Sequence, residues 1–544
     1  MKSHQDRSVV LSSNRISEMV AAGAWEERNL ADYFDEWAKK TPDKDAIVSY
    51  FSESDEKVSV SFGELERISK TIAASFVRLG IGLGDIVSFQ LNNRWELFAI
   101  ALACVRVGAV TNPLMPVLRE KELSYMLELS QSKIFIVPKE FRRFDFKSMA
   151  LTLRDSLPCL EHVFVLDDDE PDVGFSCLTK EHKSCQFSHS TSADELMQLL
   201  FTSGTTGEPK GAMHTANTIF ANIGQVAKRL KLSQDDVIFC PTPLAHQLGY
   251  LFGLALPAYT GATVVYQDIW EATKAAELIE SENATLCVGA TPFLADLADL
   301  KNIANFDLPR FRLFVSGGAP IPPALVRRAK ASLGAEIISV WGMTEVLVVT
   351  IVKPGDPEEK VFNTDGVAVE HVAVRIVDED GMELPAGKEG RLEASGASIC
   401  VGYLKRPKLY TINDEIWFDT GDLARMDEDG YIRITGRSKD IIIRGGENIP
   451  VVEIENALYR HDAIAQIAIV AMPDDRLGER ACAFVVLKEG ATFTMEEMSQ
   501  FLKDMQIARV YHPERLEVIN EMPMTVTGKI QKFELRDCAS QFTV

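Results

Sequence analysis

Short β-branched runs recur along this chain, separated by longer helical patterns, and that alternation restricts the fold more than any other feature. IVSFQL (86–91) precedes an apolar helical stretch over Trp95–Val107, and AVTNPL (109–114) follows it. KIFIV (133–137), HVFVL (162–166), ATLCVGA (284–290), RLFVSGG (312–318) and EIISVWG (336–342) keep the rhythm. Strand–helix–strand units of this kind build parallel sheets, so the expectation is α/β, with layered, parallel-rich sheets covered by helices. At 544 residues the chain is too long for one ordinary core and calls for two or more domains or subdomains.

From about residue 361 the pattern changes. HVAVRIVDEDGMELP and GYIRITGRSKDIIIRGG read as hairpins with Asp-Gly turns. This predicts a β-subdomain over about 361–436 that completes a large N-terminal domain, residues 1–436. A small α+β unit over 437–544 follows, with a helix near Val452–Arg460, the strand AIAQIAIVAM and a helix near 494–505. The hinge is placed between Gly436 and Asp440. The acidic run DDDEPD (167–172) reads as a solvated surface loop. Residues 247–267, QLGYLFGLALPAYTGATVVYQ, carry no charge, but Pro257, Gly261 and several polar residues interrupt them. A buried helix, a turn at YTGAT and a strand at TVVY account for them better than a membrane span.

The net charge of −22 leaves no basic surface to track a nucleic-acid backbone. An anionic ligand can still be held locally, by backbone N–H groups and one or two lysines. The nine cysteines are scattered, odd in number and free of CxxC pairs, which argues against a disulfide framework or a zinc site. The opening residues MKSHQDRSVVLSSNR lack the apolar core of a signal peptide, so a cytoplasmic protein is expected.

One loop invites chemistry. LLFTSGTTGEPKGAMHT (199–215) ends an apolar strand in Thr202, Ser203, Gly204, Thr205, Thr206 and Gly207, and closes on Lys210. Glycines let the backbone approach a ligand, successive N–H groups form an anion nest, and the lysine adds a charge. The loop lacks the Gly-Lys-Ser/Thr end of a Walker A motif. Taken alone it reads equally as a Gly/Thr turn.

Its companions resolve the ambiguity. SVWGMTE (339–345), WFDTGDLARMDEDGYIRITGR (417–437), KDIIIRGGENIPVVEIE (439–455) and MPMTVTGKIQK (522–532) follow in order. Together they resemble the adenylate-forming superfamily of acyl- and aryl-CoA ligases, nonribosomal adenylation domains and beetle luciferases, over nearly the whole chain from residue 30. The resemblance implies a two-step reaction. A carboxylate attacks the α-phosphate of MgATP, giving acyl-adenylate and pyrophosphate; a thiol, coenzyme A here, then displaces AMP.

The same resemblance implies residue roles. Residues 203–210 would hold the β- and γ-phosphates, Thr344 the α-phosphate and Glu345 the Mg²⁺. Asp422 would accept the ribose hydroxyls, with Arg437 reaching sugar or phosphate; a turn aspartate is the other reading of Asp422. Trp341 would stack on adenine or fill core, beside Gly342 and Met343. Gly317, Gly318 and Ala319 would let a strand end approach the adenine and acyl groups. Lys529 would bridge carboxylate and phosphate during adenylation. Its domain would then rotate about Lys439, otherwise a polar turn residue, so that Gly445, Gly446 and Glu447 line the thiol's channel. His246 would lie near the carboxylate or the thiol path, or else be structural. Leu248–Leu256 would form a wall of the acyl pocket, or else core.

VGATPFLADL (288–297), FNTDG (362–366) and SKDIIIRGGENI (438–449) resemble bacterial medium-chain acyl-CoA or cyclohexanecarboxylate-CoA ligases, which implies a short- or medium-chain aliphatic or alicyclic acid. Alternatives are an aryl acid, a carrier-protein thiol in place of CoA, and a nucleotide- or acyl-binding regulator on a ligase fold that has lost catalysis. The partners expected are small molecules, with a monomer or homodimer and no nucleic acid. Three positions depart from the family pattern: His371 for the usual glycine, Tyr511 for a lysine, and Met343 for a small residue.

Overall fold

The computed structural model describes residues 8–180, 191–202, 209–319, 321–410, 412, 417–444, 447–474, 476–525 and 528–542. Among them, two large sheets form the N-terminal part. One has nine strands, ordered Val367–Ala368, Leu347–Ile351, Glu336–Met343, Leu313–Gly317, Leu286–Gly289, Val237–Cys240, Thr263–Gln267, Asp45–Phe51 and Glu56–Ser61. Its six inner strands run parallel, while Leu347–Ile351, Val367–Ala368 and Glu56–Ser61 are antiparallel to their neighbours. The other sheet has six strands, ordered Lys210–Thr215, Leu196–Thr202, Val110–Pro113, Ile86–Phe89, Ser132–Pro138 and His162–Leu166, parallel except for Lys210–Thr215.

Both sheets close on one core. Ile47, Val264, Ile238 and Val315 from the first meet Val87, Phe89, Ile134 and Met197 from the second. Between them runs the helix Trp95–Val107, buried along almost its whole length. A helix apolar all round is stable only when covered all round. Gly108, at φ 75°, ends it in the left-handed cap that a glycine adopts without steric cost.

Gln247–Thr260 is also buried and helical, with a π-helical turn at Leu251–Ala255; Gly261 ends it at φ 73° and Thr263–Gln267 is the strand. Tyr259 and Thr260 thus stay helical, and the turn is shorter than YTGAT. Leu251–Leu256 fill the core that the two sheets share.

The acidic run is a loop, but Asp168 is not solvated. It is buried, and Lys147 reaches its carboxylate at 2.8 Å. That ammonium holds the Asp168 carboxyl down at about 2.

A four-stranded antiparallel sheet follows, Val372–Val377, Glu389–Gly396, Phe418–Met426 and Ile432–Arg437. The turn after Val377 leads to a single bridge with Glu383 before the true partner strand begins at Glu389. His371 has φ 59°, in the left-handed region, which is why a glycine suits that position. The last part is a five-stranded sheet with helices Val451–Leu458, Met495–Asp504 and Lys532–Ala539. It has a core of its own, around Ile454, Ile469, Val485 and Leu502. Tyr459 packs against both this core and that of the nine-stranded sheet. No helix among the described residues is long and apolar enough to cross a membrane.

Candidate active site

Parallel strands point their carboxyl ends the same way, and loops there form the crevice in which α/β proteins bind ligands. Glu336–Met343 ends in such a loop. The chain turns through Thr344, Glu345 and Val346 and returns antiparallel as Leu347–Ile351. The turn is tight. Leu347 takes φ 61°, and a Cβ added to Gly342 would lie 1.9 Å from the Leu347 carbonyl oxygen. Only glycine fits there, and the left-handed leucine is the kind of local strain that gathers at functional sites.

Glu345 is 6% exposed. Its Oε1 accepts the Tyr403 hydroxyl at 2.6 Å, and its backbone carbonyl accepts the Cys400 N–H at 2.7 Å. Burial and the adjacent carboxylate push the Tyr403 pKa up, so the phenol keeps its proton and acts as donor. Lys210 sits with Nζ 5.5 Å from the Tyr403 ring centroid. Tyr403 also bridges Ala212 of the Lys210–Thr215 strand. One tyrosine therefore ties the buried carboxylate to the strand leaving the Gly/Thr segment. The Thr202 hydroxyl donates to the Lys210 carbonyl at 3.4 Å, across the paired strands. Ser203, Gly204, Thr205, Thr206 and Gly207 lie outside the described residues.

Asp422 and Arg437 are register partners on adjacent strands. Arg437 Nε meets Asp422 Oδ1 at 2.8 Å, and the Trp341 indole N–H donates to Oδ2 at 3.1 Å. Asp422 is buried; that burial raises its pKa against the opposing pull of Arg437, Trp341 and Lys529. Each carboxylate oxygen keeps a second lone pair for a ligand hydroxyl. Trp341, expected as a stacking ring, is anchored by its edge to this carboxylate.

Lys529 arrives from the far end of the chain. Its loop is pinned by its own N–H to Thr525 Oγ1 at 3.0 Å, and a Cβ on Gly528 would stand 2.6 Å from Pro292 Cγ. The lysine exposes much of its surface. Protein nevertheless crowds the ammonium: burial and then Arg437 pull its pKa below 10.5, while Asp422, Asp440 and Glu345 act in the opposite sense.

His246 stands across the same cleft. Its Nδ1 accepts the Leu248 N–H at 3.3 Å as the cap of helix Gln247–Tyr250, so the ring proton resides on Nε2. Burial, then the charge of Lys529, lower its pKa to about 4, leaving a neutral donor at pH 7. Asn93 fixes the preceding loop. Its amide N lies 3.0 Å from the Thr242 carbonyl, and its Oδ1 accepts the Leu244 N–H at 2.9 Å.

Gly317 ends the strand beside Val340, Gly318 follows at φ 86°, and the Ala319 carbonyl accepts the Thr291 hydroxyl at 3.3 Å. Met343 is partly buried and packs against the cluster that holds Val346 and Tyr403. Lys439 lies in the single turn Ser438–Asp440. Gly445 and Gly446 lie outside the described residues, as does the side chain of Glu447, whose backbone begins the strand Glu447–Ile449. The structure thus brings Thr344, Glu345, Trp341, Asp422, Arg437, His246 and Lys529 to one cleft. Tyr403 and Asn93 were not anticipated. Tyr403 touches Glu345 across 58 positions, and no local pattern announces such a pairing.

A buried carboxylate, a carboxylate–arginine pair and a lysine from a loop of the C-terminal part, gathered near strand ends, suit an enzyme that handles an anionic, hydroxyl-bearing substrate. The chain belongs to the AMP-binding enzyme family: residues 34–404 match the model of that name, and residues 453–529 match that of the AMP-binding enzyme C-terminal domain. It is 38% identical over 520 residues to the medium-chain fatty-acid–CoA ligase of Escherichia coli (strain K12), covering 94% of this chain and 91% of that one. It is 30% identical over 538 residues to the mitochondrial medium-chain acyl-CoA ligase ACSF2 of Bos taurus, covering 93% and 87%. The crystal structure of the anthranilate CoA ligase AuaEII with anthranoyl-AMP superposes with a TM-score of 0.86 at 25% identity, covering 94% and 98%.

Proposed function

We propose that this AMP-forming acid–CoA ligase activates a short- or medium-chain aliphatic or alicyclic acid and passes it to coenzyme A. The observation that carries the mechanism is the position of Lys529 within electrostatic reach of Glu345, Asp422 and Arg437. In the first half-reaction an oxygen of the acid attacks the α-phosphorus of ATP, and the bond to pyrophosphate breaks. Lys529 would bridge the two anionic reactants, which otherwise repel, and Thr344 would donate to the α-phosphate. Asp422 would hold the ribose hydroxyls, held in turn by Arg437 and Trp341. In the second half-reaction the sulfur of CoA attacks the acyl carbonyl and AMP leaves.

The residues present fit Mg²⁺. Glu345 is a buried carboxylate steadied by a tyrosine, and no group of three or more metal-ligating side chains gathers among the described residues. One carboxylate with phosphate oxygens and water is what Mg²⁺ takes. When bound, the ion neutralises phosphate charge; Glu345 would hold it.

The substrate class rests on the medium-chain relatives and on helix Gln247–Thr260, which presents no charged side chain. Leu251–Leu256 is core, so any wall it forms is rigid and apolar. The test is thioester formation with MgATP and CoA across straight-chain, cyclohexane-ring and benzoate-type acids. Higher kcat/KM for the first two groups is expected; higher values for benzoates would establish the aryl reading instead. Acyl-AMP that CoA leaves intact while a carrier protein discharges it would overturn CoA as acceptor.

A further inference from the structure

His214 is the penultimate residue of the strand Lys210–Thr215, directly before Thr215 caps the helix Ala216–Leu230. It is 0% exposed. Its Nε2 lies 2.7 Å from the backbone carbonyl oxygen of Thr344, and its Nδ1 lies 3.1 Å from the Thr218 hydroxyl. A carbonyl can only accept, so Nε2 carries the proton and Nδ1 faces the hydroxyl as an acceptor. The ring is neutral, since burial lowers its pKa to about 4.

The partner of this hydrogen bond distinguishes His214 from a histidine that merely fills core. Thr344 sits in the tight turn before Glu345, where the ladder between Glu336–Met343 and Leu347–Ile351 has ended and Leu347 is strained. A side-chain donor is then what holds the Thr344 peptide plane. His214 also lies opposite Gln198 on Leu196–Thr202, the strand that leads into residue 203. The two strands bounding the Gly/Thr segment are therefore tied through one imidazole to the Thr344–Glu345 turn, across 130 positions of sequence.

We propose that His214 is a positioning residue for adenylation: its Nε2–H fixes the Thr344 carbonyl, and so sets Thr344 and Glu345 in place relative to the strands Leu196–Thr202 and Lys210–Thr215. This rests on the reading above, in which Thr344 and Glu345 face the nucleotide. Loss of the donor lets the turn shift, and because the buried carbonyl loses its partner the cost appears in the step that needs both residues.

Amide substitutions separate this role from packing. The amide N of His214→Gln reaches the place of Nε2, whereas that of His214→Asn stops near Nδ1. Pyrophosphate–ATP exchange, thioester formation from supplied acyl-AMP and thermal melting are measured for both, and for His214→Leu. Exchange kcat should fall roughly 10- to 100-fold in His214→Asn and His214→Leu. His214→Gln should return to within a few-fold of wild type, and all three should keep thiolation. Equal exchange in the Gln and Asn variants overturns the proposal, as does a loss in both half-reactions that tracks the unfolded fraction. Wild-type protein that exchanges with no acid would instead remove the ligase reading itself.

Discussion

Tyr403→Phe isolates a single hydroxyl at the centre of the site. The ring remains, and with it the packing against Tyr410 and the Lys210 ammonium over its face. What disappears is the 2.6 Å hydrogen bond to Glu345 Oε1. A short hydrogen bond to a buried carboxylate contributes about 1.5–3 kcal/mol net. At about 1.4 kcal/mol per tenfold, that converts to a fall of roughly 10- to 150-fold if the whole effect reaches the adenylation transition state. The assay is acid-dependent pyrophosphate–ATP exchange across a Mg²⁺ titration, with thiolation of supplied acyl-AMP alongside. Exchange should drop most at limiting Mg²⁺, and thiolation should hold. Unchanged exchange at limiting Mg²⁺, or equal damage to thiolation, would refute the assignment of Glu345 to the ion and of Tyr403 to its support.

Three further outcomes are expected. Lys439→Pro locks φ in the turn Ser438–Asp440, so adenylation should survive while thiolation falls; equal rates in both halves would remove the hinge from that residue. Gly342→Ala drives a Cβ to 1.9 Å from the Leu347 carbonyl, where backbone must move, and should cost about 1–3 kcal/mol or more, read as a lower melting temperature. Because Lys529 must be cationic and its pKa is held below 10.5 by burial and then Arg437, the alkaline limb of exchange should fall below that pH. Arg437→Gln removes a like charge, so the amine holds its proton to higher pH and the limb moves up; a downward move would contradict the arrangement.

Local signals carried the fold. The helix expected at Trp95–Val107 has those bounds, and HVFVL is the strand His162–Leu166, because runs of apolar and β-branched residues and their polar or glycine boundaries act within a few residues. The split into two sheets was not legible: parallel strands with similar β-branched sequences do not announce which neighbours they choose. The π-helical turn at Leu251–Ala255 was equally hidden, since its sequence is that of an ordinary buried helix. At the site, motif residues came to one cleft, yet what holds them lies outside the motifs' roles. Tyr403 on Glu345, Trp341 on Asp422, Asn93 beneath the His246 loop and His214 on Thr344 are contacts across 58 to 151 positions. Asp168 shows the same limit, for an acidic run looks solvated until Lys147 is seen beside it.

The proposed function turns on one lysine, from a loop of the C-terminal part, joining the cleft to neutralise charge in adenylation alone. Lys529→Ala, assayed separately for pyrophosphate–ATP exchange and for thioester formation from supplied acyl-AMP, measures it directly. The account predicts a severe loss of exchange with thiolation largely spared; matched losses in the two half-reactions would contradict it.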